Sequence, residues 1–158
     1  MIKNLKAAMM ASISEVLETM FYMSLDFDDH KTLKNMDILQ NGVPMACRLD
    51  FAGPFSGCFL LIIPEKLLIE MSQNFMGIEE VEIKQQQLEG TIKELTNMIA
   101  GNTFSTLNDQ IEFNLSIPEI VDIQTLSSQY MTNNGKEVEI ITETTGGFLA
   151  VKTILNDP

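Results

Sequence analysis

The period of the apolar positions changes several times along this chain, and each change marks an element. Leu5, Met9, Ile13, Val16 and Met20 recur three or four apart, which predicts an amphipathic helix over roughly residues 3–23. An acidic link, Asp26-Phe27-Asp28-Asp29, and a loop through Asn41-Gly42 follow. Met45, Cys47, Leu49 and Phe51 then alternate with Ala46, Arg48 and Asp50, the period of a strand with one buried face. Gly53-Pro54 turns the chain into Gly57 to Ile63, which is apolar on both faces and therefore predicts a central strand. Pro64 suits the first turn of a helix whose inner face is Leu67, Leu68, Met71 and Phe75, and Gly77 suits its end. A long helix over about residues 83–107 comes next, then a linker containing Pro118. Val138 to Thr144 and Gly147 to Leu155 form a second strand pair, joined by a tight turn at Thr145-Gly146-Gly147.

Helix, linker and hairpin thus occur twice. Phe55-Ser56-Gly57-Cys58-Phe59-Leu60 is echoed by Thr145-Gly146-Gly147-Phe148-Leu149, and Glu15-Val16-Leu17-Glu18 by Glu94-Leu95-Thr96-Asn97. The expected fold is α/β in the α+β sense: one domain over residues 1–158, with pseudo-symmetric halves at about 1–78 and 79–158. Its strands should form one antiparallel sheet covered by the long helices.

The long helix carries the stretch that a purely structural account explains least well. Leu88, Ile92, Leu95 and Ile99 recur at steps of four, three and four and share a core-facing stripe. Glu94 and Asn97 fall three apart on the roughly opposite face, with Gly90 one turn before them and Gly101 one turn after. Each glycine costs about 1 kcal/mol relative to Ala in a helix interior, so something other than helix propensity must favour both. A face stripped of side chains on either side of an acid and an amide suits the close approach of another protein. The competing reading treats Glu94 and Asn97 as ordinary solvated positions and Gly101 as the mark of a kink.

Composition narrows the function classes. Among 158 residues, 22 acids against 10 bases give a formal charge of −12, which argues against nucleic acid or an anionic membrane surface as partner. Cys47 and Cys58 fall in strand-like apolar runs without CxxC or His spacing and read as small buried hydrophobes of a reducing compartment, the cytoplasm. Ser12, Ser14, Glu15 and Glu18 interrupt the apolar positions of the first helix, which excludes a signal-peptide core there. The run Cys58 to Ile63 is far too short to cross a bilayer. His30, the only histidine, has no triad partner or ligand spacing, and neither a phosphate loop nor a metal site is visible. Of the eleven methionines, Met9, Met20 and Met71 sit at core-facing spacing and read as core filling.

The run Glu94-x-x-Asn97-Met98-Ile99-Ala100-Gly101-Asn102, followed after a linker by Pro118, resembles the signature of the CheC/CheX/FliY phosphatases of bacterial chemotaxis. A single intact copy points to the CheX-like members, since Glu18 stands where the first half would need its Asn. Gly90 stands where the family's longer pattern usually has Asp or Ser, and the gap from Asn97 to Pro118 is slightly short. The resemblance implies hydrolysis of the aspartyl phosphate of a CheY-type response regulator. Glu94 would contact a regulator lysine and Asn97 would orient the attacking water; Gly90, Met98 and Gly101 would line the contact. It also implies a homodimer, no cofactor in this chain, and Mg2+ bound in the partner regulator. The alternative function is a non-catalytic module of the same fold docking on a receiver domain or a flagellar switch component.

Overall fold

A computed structural model describes residues 2–38, 42–77, 82–126 and 136–156. Its centre is a seven-stranded sheet in which every pairing is antiparallel. The strands are β1 (Leu25–Asp28), β2 (Pro44–Ala52), β3 (Ser56–Pro64), β4 (Asn114–Leu115), β5 (Glu119–Val121), β6 (Glu137–Thr144) and β7 (Gly147–Leu155). Their order is β1-β6-β7-β3-β2-β4, with β5 also on the outer edge of β2. The hairpins β2–β3 and β6–β7 therefore meet at the centre through β3 and β7. Each half sends its first strand across to the other half's hairpin, β1 to β6 and β4 with β5 to β2. The pseudo-symmetry expected from the repeated pattern is thus an exchange of edge strands between halves, and β3, apolar on both faces, is central as its sequence required.

Helices α1 (Ile2–Met20), α2 (Glu65–Met76) and α3 (Gln85–Leu107) bury their apolar stripes on one face of the sheet. Leu5, Met9, Ile13 and Leu17 of α1 meet Leu88, Ile92, Leu95 and Ile99 of α3 over Cys47, Leu49, Phe59, Leu61 and Val151. The opposite face is covered by the segment holding Leu33 and by a single helical turn, Ile123–Thr125, followed by Leu126. Lys152 lies in that face, 1% exposed, with Nζ 3.0 Å from a carboxylate oxygen of Glu137 and 3.5 Å from one of Glu139. The Leu33 N–H donates to the other Glu139 oxygen at 2.6 Å, so one carboxylate holds both the strand cation and the covering segment.

Several expectations are corrected. The acidic stretch read as a link contains β1, whose Leu25 and Phe27 are partly buried against the core. The first helix ends at Met20 rather than residue 23, and Met20 is 42% exposed. Leu17 and Phe21 take the core places instead, because α2 approaches from that side: Phe21 stacks on Phe75 with centroids 5.5 Å apart, and Asn74 Nδ2 donates to the Phe21 carbonyl at 2.9 Å. Phe75, placed on the inner face of α2, is 39% exposed and covers Phe21 from outside. In β2, Ala46 is buried on the second face and Met45 only partly buried, since both faces of the sheet are covered there. The linker around Pro118 holds β4 and β5. Their register on β2 slips by one residue between Leu115↔Phe51 and Glu119↔Arg48, a bulge at the proline, which has no N–H to offer a ladder. The loop expected through Asn41-Gly42 lies partly outside the described residues.

Gly77 closes α2 as its sequence suggested: at φ 68° it adopts the left-handed conformation, and its N–H reaches the carbonyls of Gln73 and Asn74. Thr142 on β6 is less well served. Its hydroxyl is buried and has no hydrogen-bond partner among the described residues. A valine there keeps the branched shape that suits a strand and removes the orphaned hydroxyl. Thr142→Val is therefore expected to stabilise the fold by about 1–2 kcal/mol, seen as a rise of roughly 2–8 °C in Tm by scanning calorimetry. A fall in Tm would mean that the hydroxyl is satisfied in solution.

Candidate functional site

The site is built on the outward face of α3, and the inward face holds it there. Leu88 is 3% exposed, and Ile92, Leu95 and Ile99 are fully buried. At about 1.5–3 kcal/mol per buried aliphatic side chain, these four outweigh two glycines at about 1 kcal/mol each. The helix starts where the Gln87 carboxamide accepts the Lys84 N–H at 2.9 Å, and it runs unbroken to Leu107 through Gly101. Gly101 therefore does not interrupt the helix. Hydroxyls brace the buried side: Thr91, Thr96 and Thr103 donate to the carbonyls of Gln87, Ile92 and Ile99 at 2.9, 2.7 and 2.7 Å. Ser12 of α1 donates to the same Ile99 carbonyl at 2.7 Å, tying the two helices together directly beneath Met98 and Gly101.

With that face buried, Glu94, Asn97 and Gly90 are exposed, and Met98 and Gly101 are partly covered. Gly90, Glu94, Asn97 and Gly101 repeat the four, three, four spacing of the core stripe on the opposite side of the helix. Among the described residues, no hydrogen bond or ion pair engages the side chain of Glu94 or Asn97. Both glycines have ordinary helical backbone without a positive φ, and a Cβ built on either would meet nothing within 4 Å. The fold itself does not ask for them. What they create is a bare strip on either side of the acid and the amide, whose Cβ atoms lie about 5–6 Å apart at this spacing. Glu15 and Glu18, the matching positions of α1, are exposed too, but that pair offers two acids and no amide.

Other candidate chemistry is remote or spent. Burial pushes the Cys47 and Cys58 thiols up, so neither is a thiolate near neutral pH. Burial dominates at Cys47 although Thr96 and Lys93 of α3 pull the other way. The His30 N–H donates to Asp28 Oδ1 at 2.9 Å, which is turn geometry. Among the described residues, no group of three or more His, Cys, Asp or Glu could hold a metal ion, and no helix is long and apolar enough to cross a membrane.

Sequence reasoning missed a groove of about 370 Å³ at the C-terminal end of α3. Gly101 and Ser105 form its helical wall, and Phe104, Phe113 and Ile111 its apolar lining. Phe113 stacks on Phe104 with centroids 4.5 Å apart and packs over Gly53, where a Cβ would stand 2.7 Å from its ring. A signal existed in Phe113 and Ile111 beside acids in a stretch read only as linker, but nothing local says that they fold back onto the motif helix.

A family model described as "Chemotaxis phosphatase CheX" matches residues 45–142, which include all of α3. No curated protein sequence matches the chain significantly. Among solved structures, a chemotaxis protein CheX from Desulfovibrio desulfuricans is similar, with a TM-score of 0.74, 17% identity and coverage of 96% of this chain and 99% of that one. A chemotactic CheC-like protein from Shewanella oneidensis gives 0.75, 20%, 99% and 100%. A CheX–CheY–BeF3–Mg complex from Borrelia burgdorferi gives 0.73, 14%, 96% and 97%. At these identities the structures establish the fold.

Because neither motif glycine is cramped, Gly90→Ala and Gly101→Ala are each expected to stabilise the protein by about 1 kcal/mol, the difference in helix propensity. Thermal unfolding should show each Tm rising by roughly 2–4 °C. A loss of stability in either variant would mean that the fold needs that glycine after all.

Proposed function

The chain belongs to the CheX family of chemotaxis phosphatases, and on that footing we propose that it hydrolyses the aspartyl phosphate of a CheY-type response regulator in the cytoplasm. Asn97 orients the attacking water, and Glu94 holds a lysine of the regulator. One observation carries the reading: Glu94 and Asn97 point outward from a rigidly buried helix, unused by the fold, between two glycines that nothing in the fold requires. The solved complex of a CheX with CheY, BeF3 and Mg supports a receiver of the CheY type as the partner.

The chemistry asks little of this chain. An aspartyl phosphate is an activated acyl phosphate. Water attacks phosphorus, the bond from phosphorus to the aspartate oxygen breaks, and the electron pair leaves on the carboxylate. Inorganic phosphate retains the protons of the water. Mg2+ bound in the regulator supplies neutralisation of the phosphoryl charge. Asn97 contributes position: its carbonyl accepts a hydrogen bond from the water while its NH2 group donates another, and the amide keeps the same charge at all physiological pH values. Glu94, one turn away, fixes the regulator so that the amide enters the phosphorylated pocket. Gly90, Met98 and Gly101 form the close-contact strip around the pair.

Phosphate release from a phosphorylated cognate receiver tests the assignment. Asn97→Ala should fold normally and lose about 10²-fold or more in turnover, the size typical of a positioned catalytic group. Glu94→Ala should raise KM by at least about 30-fold, as for loss of one partner of a desolvated charge pair. Glu15→Ala and Glu18→Ala should be nearly silent. Full turnover by Asn97→Ala would exclude it as the water-orienting residue, and tight binding without any phosphate release by the wild type would leave a docking module.

The same reading includes a homodimer. Among the described residues, β1 is paired only on its β6 side, and β4 and β5 only on their β2 side, so both ends of the sheet offer backbone that no described strand pairs. An edge-to-edge dimer leaves α3 of each protomer free for a regulator. Sedimentation at low micromolar protein should give the mass of two chains, and a monomer there would remove the dimer from the proposal.

A further inference from the structure

The groove beside Gly101 plays no part in the roles assigned to Glu94 and Asn97, yet it lies where a partner cannot avoid it. It begins one turn after Asn97 and continues to Ser105, about 6–12 Å along the helix axis at 1.5 Å per residue. A standard interface covers about 800 Å² on each partner, a disc of roughly 16 Å radius. Any protein that brings a phosphorylated aspartate to Asn97 therefore covers the groove as well. Gly101 belongs to both surfaces, as the last member of the bare strip and as a wall of the groove.

The lining says what would fill it. The interior is aromatic and aliphatic, from Phe104, Phe113 and Ile111, and the rim carries Asp109 and Glu112 with no lysine or arginine. The last turn of α3 has no basic side chain, so the helix does not itself compensate the negative end of its dipole at this rim. An apolar stem ending in a cation matches each of these features: the stem packs on the rings, and the charge meets the two carboxylates and the helix terminus. We propose that this groove is a second docking point for the regulator, receiving a lysine or arginine from the face around its phosphorylation site. It acts in affinity and orientation, apart from the lysine assigned to Glu94. This rests on the phosphatase reading above and adds to it the chemistry of the partner's surface.

The test uses the full chain and the CheY-type receiver that it dephosphorylates, charged with beryllium trifluoride and Mg2+ for binding and with phosphate for turnover. Ser105→Trp fills the groove from an exposed position, and the double variant Asp109→Lys/Glu112→Lys reverses its rim at two exposed positions, so neither touches the core. Each is expected to raise Kd for the charged receiver about tenfold or more, the loss typical of an interface anchor, with turnover at saturating receiver changed less than about twofold. If both variants keep the wild-type Kd while Asn97→Ala is inactive, the groove proposal is overturned and the phosphatase reading stands. If turnover at saturation falls along with affinity, the groove is not a docking point alone and the proposal is likewise overturned. If the wild type neither binds nor dephosphorylates any receiver, both readings fall together.

Discussion

Burial of one face of α3 is the constraint on which the site depends. Four aliphatic side chains at helical spacing leave the helix one rotational setting about its axis, since turning it by even a third of a turn would lift Leu88 or Ile99 into water. Those residues are 3% and 0% exposed. The cost of such a turn, several kcal/mol at about 25 cal/mol per Å² of apolar surface, is a large part of the stability of an ordinary domain. Once that setting is chosen, Glu94 and Asn97 have to face outward. An amide that must enter another protein's pocket benefits from a mounting of this kind, because it reaches the partner already positioned.

The hydroxyls on the buried side refine the mounting. Ile99 lies beneath the motif, and its carbonyl accepts from both Thr103 of its own helix and Ser12 of α1. The small side chains at this seam let the two helices approach closely, and the interhelical hydrogen bond opposes sliding of one along the other. Across the sheet, Lys152 with Glu137 and Glu139 does comparable work on the second face: a buried cation with two carboxylates tolerates little displacement, and Glu139 passes the constraint on to the segment at Leu33. Asp28 accepts the His30 and Lys31 N–H groups in the same region, and these bonds, the one from His30 foremost, hold its carboxyl below the usual range. Lys31 adds an ion pair to Glu143.

Chemically the candidate site is spare, and that economy agrees with the task proposed for it. In that task the acyl phosphate is already activated and the metal would lie in the partner, so what this chain would add is geometry and recognition. The formal charge of −12 is unsuited to gathering anionic partners from a distance, which places the weight of recognition on short-range features. Glu94, the bare strip and the acid-rimmed groove are such features, and all lie on or against one helix.

Much of this was legible without a structure because it is local. A 3.6-residue period maps positions directly onto faces, so Glu94 and Asn97 could be set opposite the stripe of Leu88, Ile92, Leu95 and Ile99 before any packing was known. The doubly apolar run Gly57 to Ile63 could be called central, and Gly77 could be called a helix end, on equally local grounds. Other features depend on partners distant in the chain. Leu25–Asp28 is too short and too acidic to announce a strand, and it becomes one through β6. From Leu5, Met9 and Ile13 the spacing leads through Val16 to Met20 or through Leu17 to Phe21, and the approach of α2 decides for Phe21. The groove exists only because Phe113, from a segment with a bulge at Pro118, folds back over Gly53 onto Phe104. The sequence by itself determined which face of each main helix is apolar and which residues the motif helix turns to solvent, since helix geometry alone relates those positions. Only the tertiary structure decided the exchange of edge strands and the surroundings of the motif, because cross-strand pairing and side-chain packing join residues whose separation along the chain carries no information about their contact.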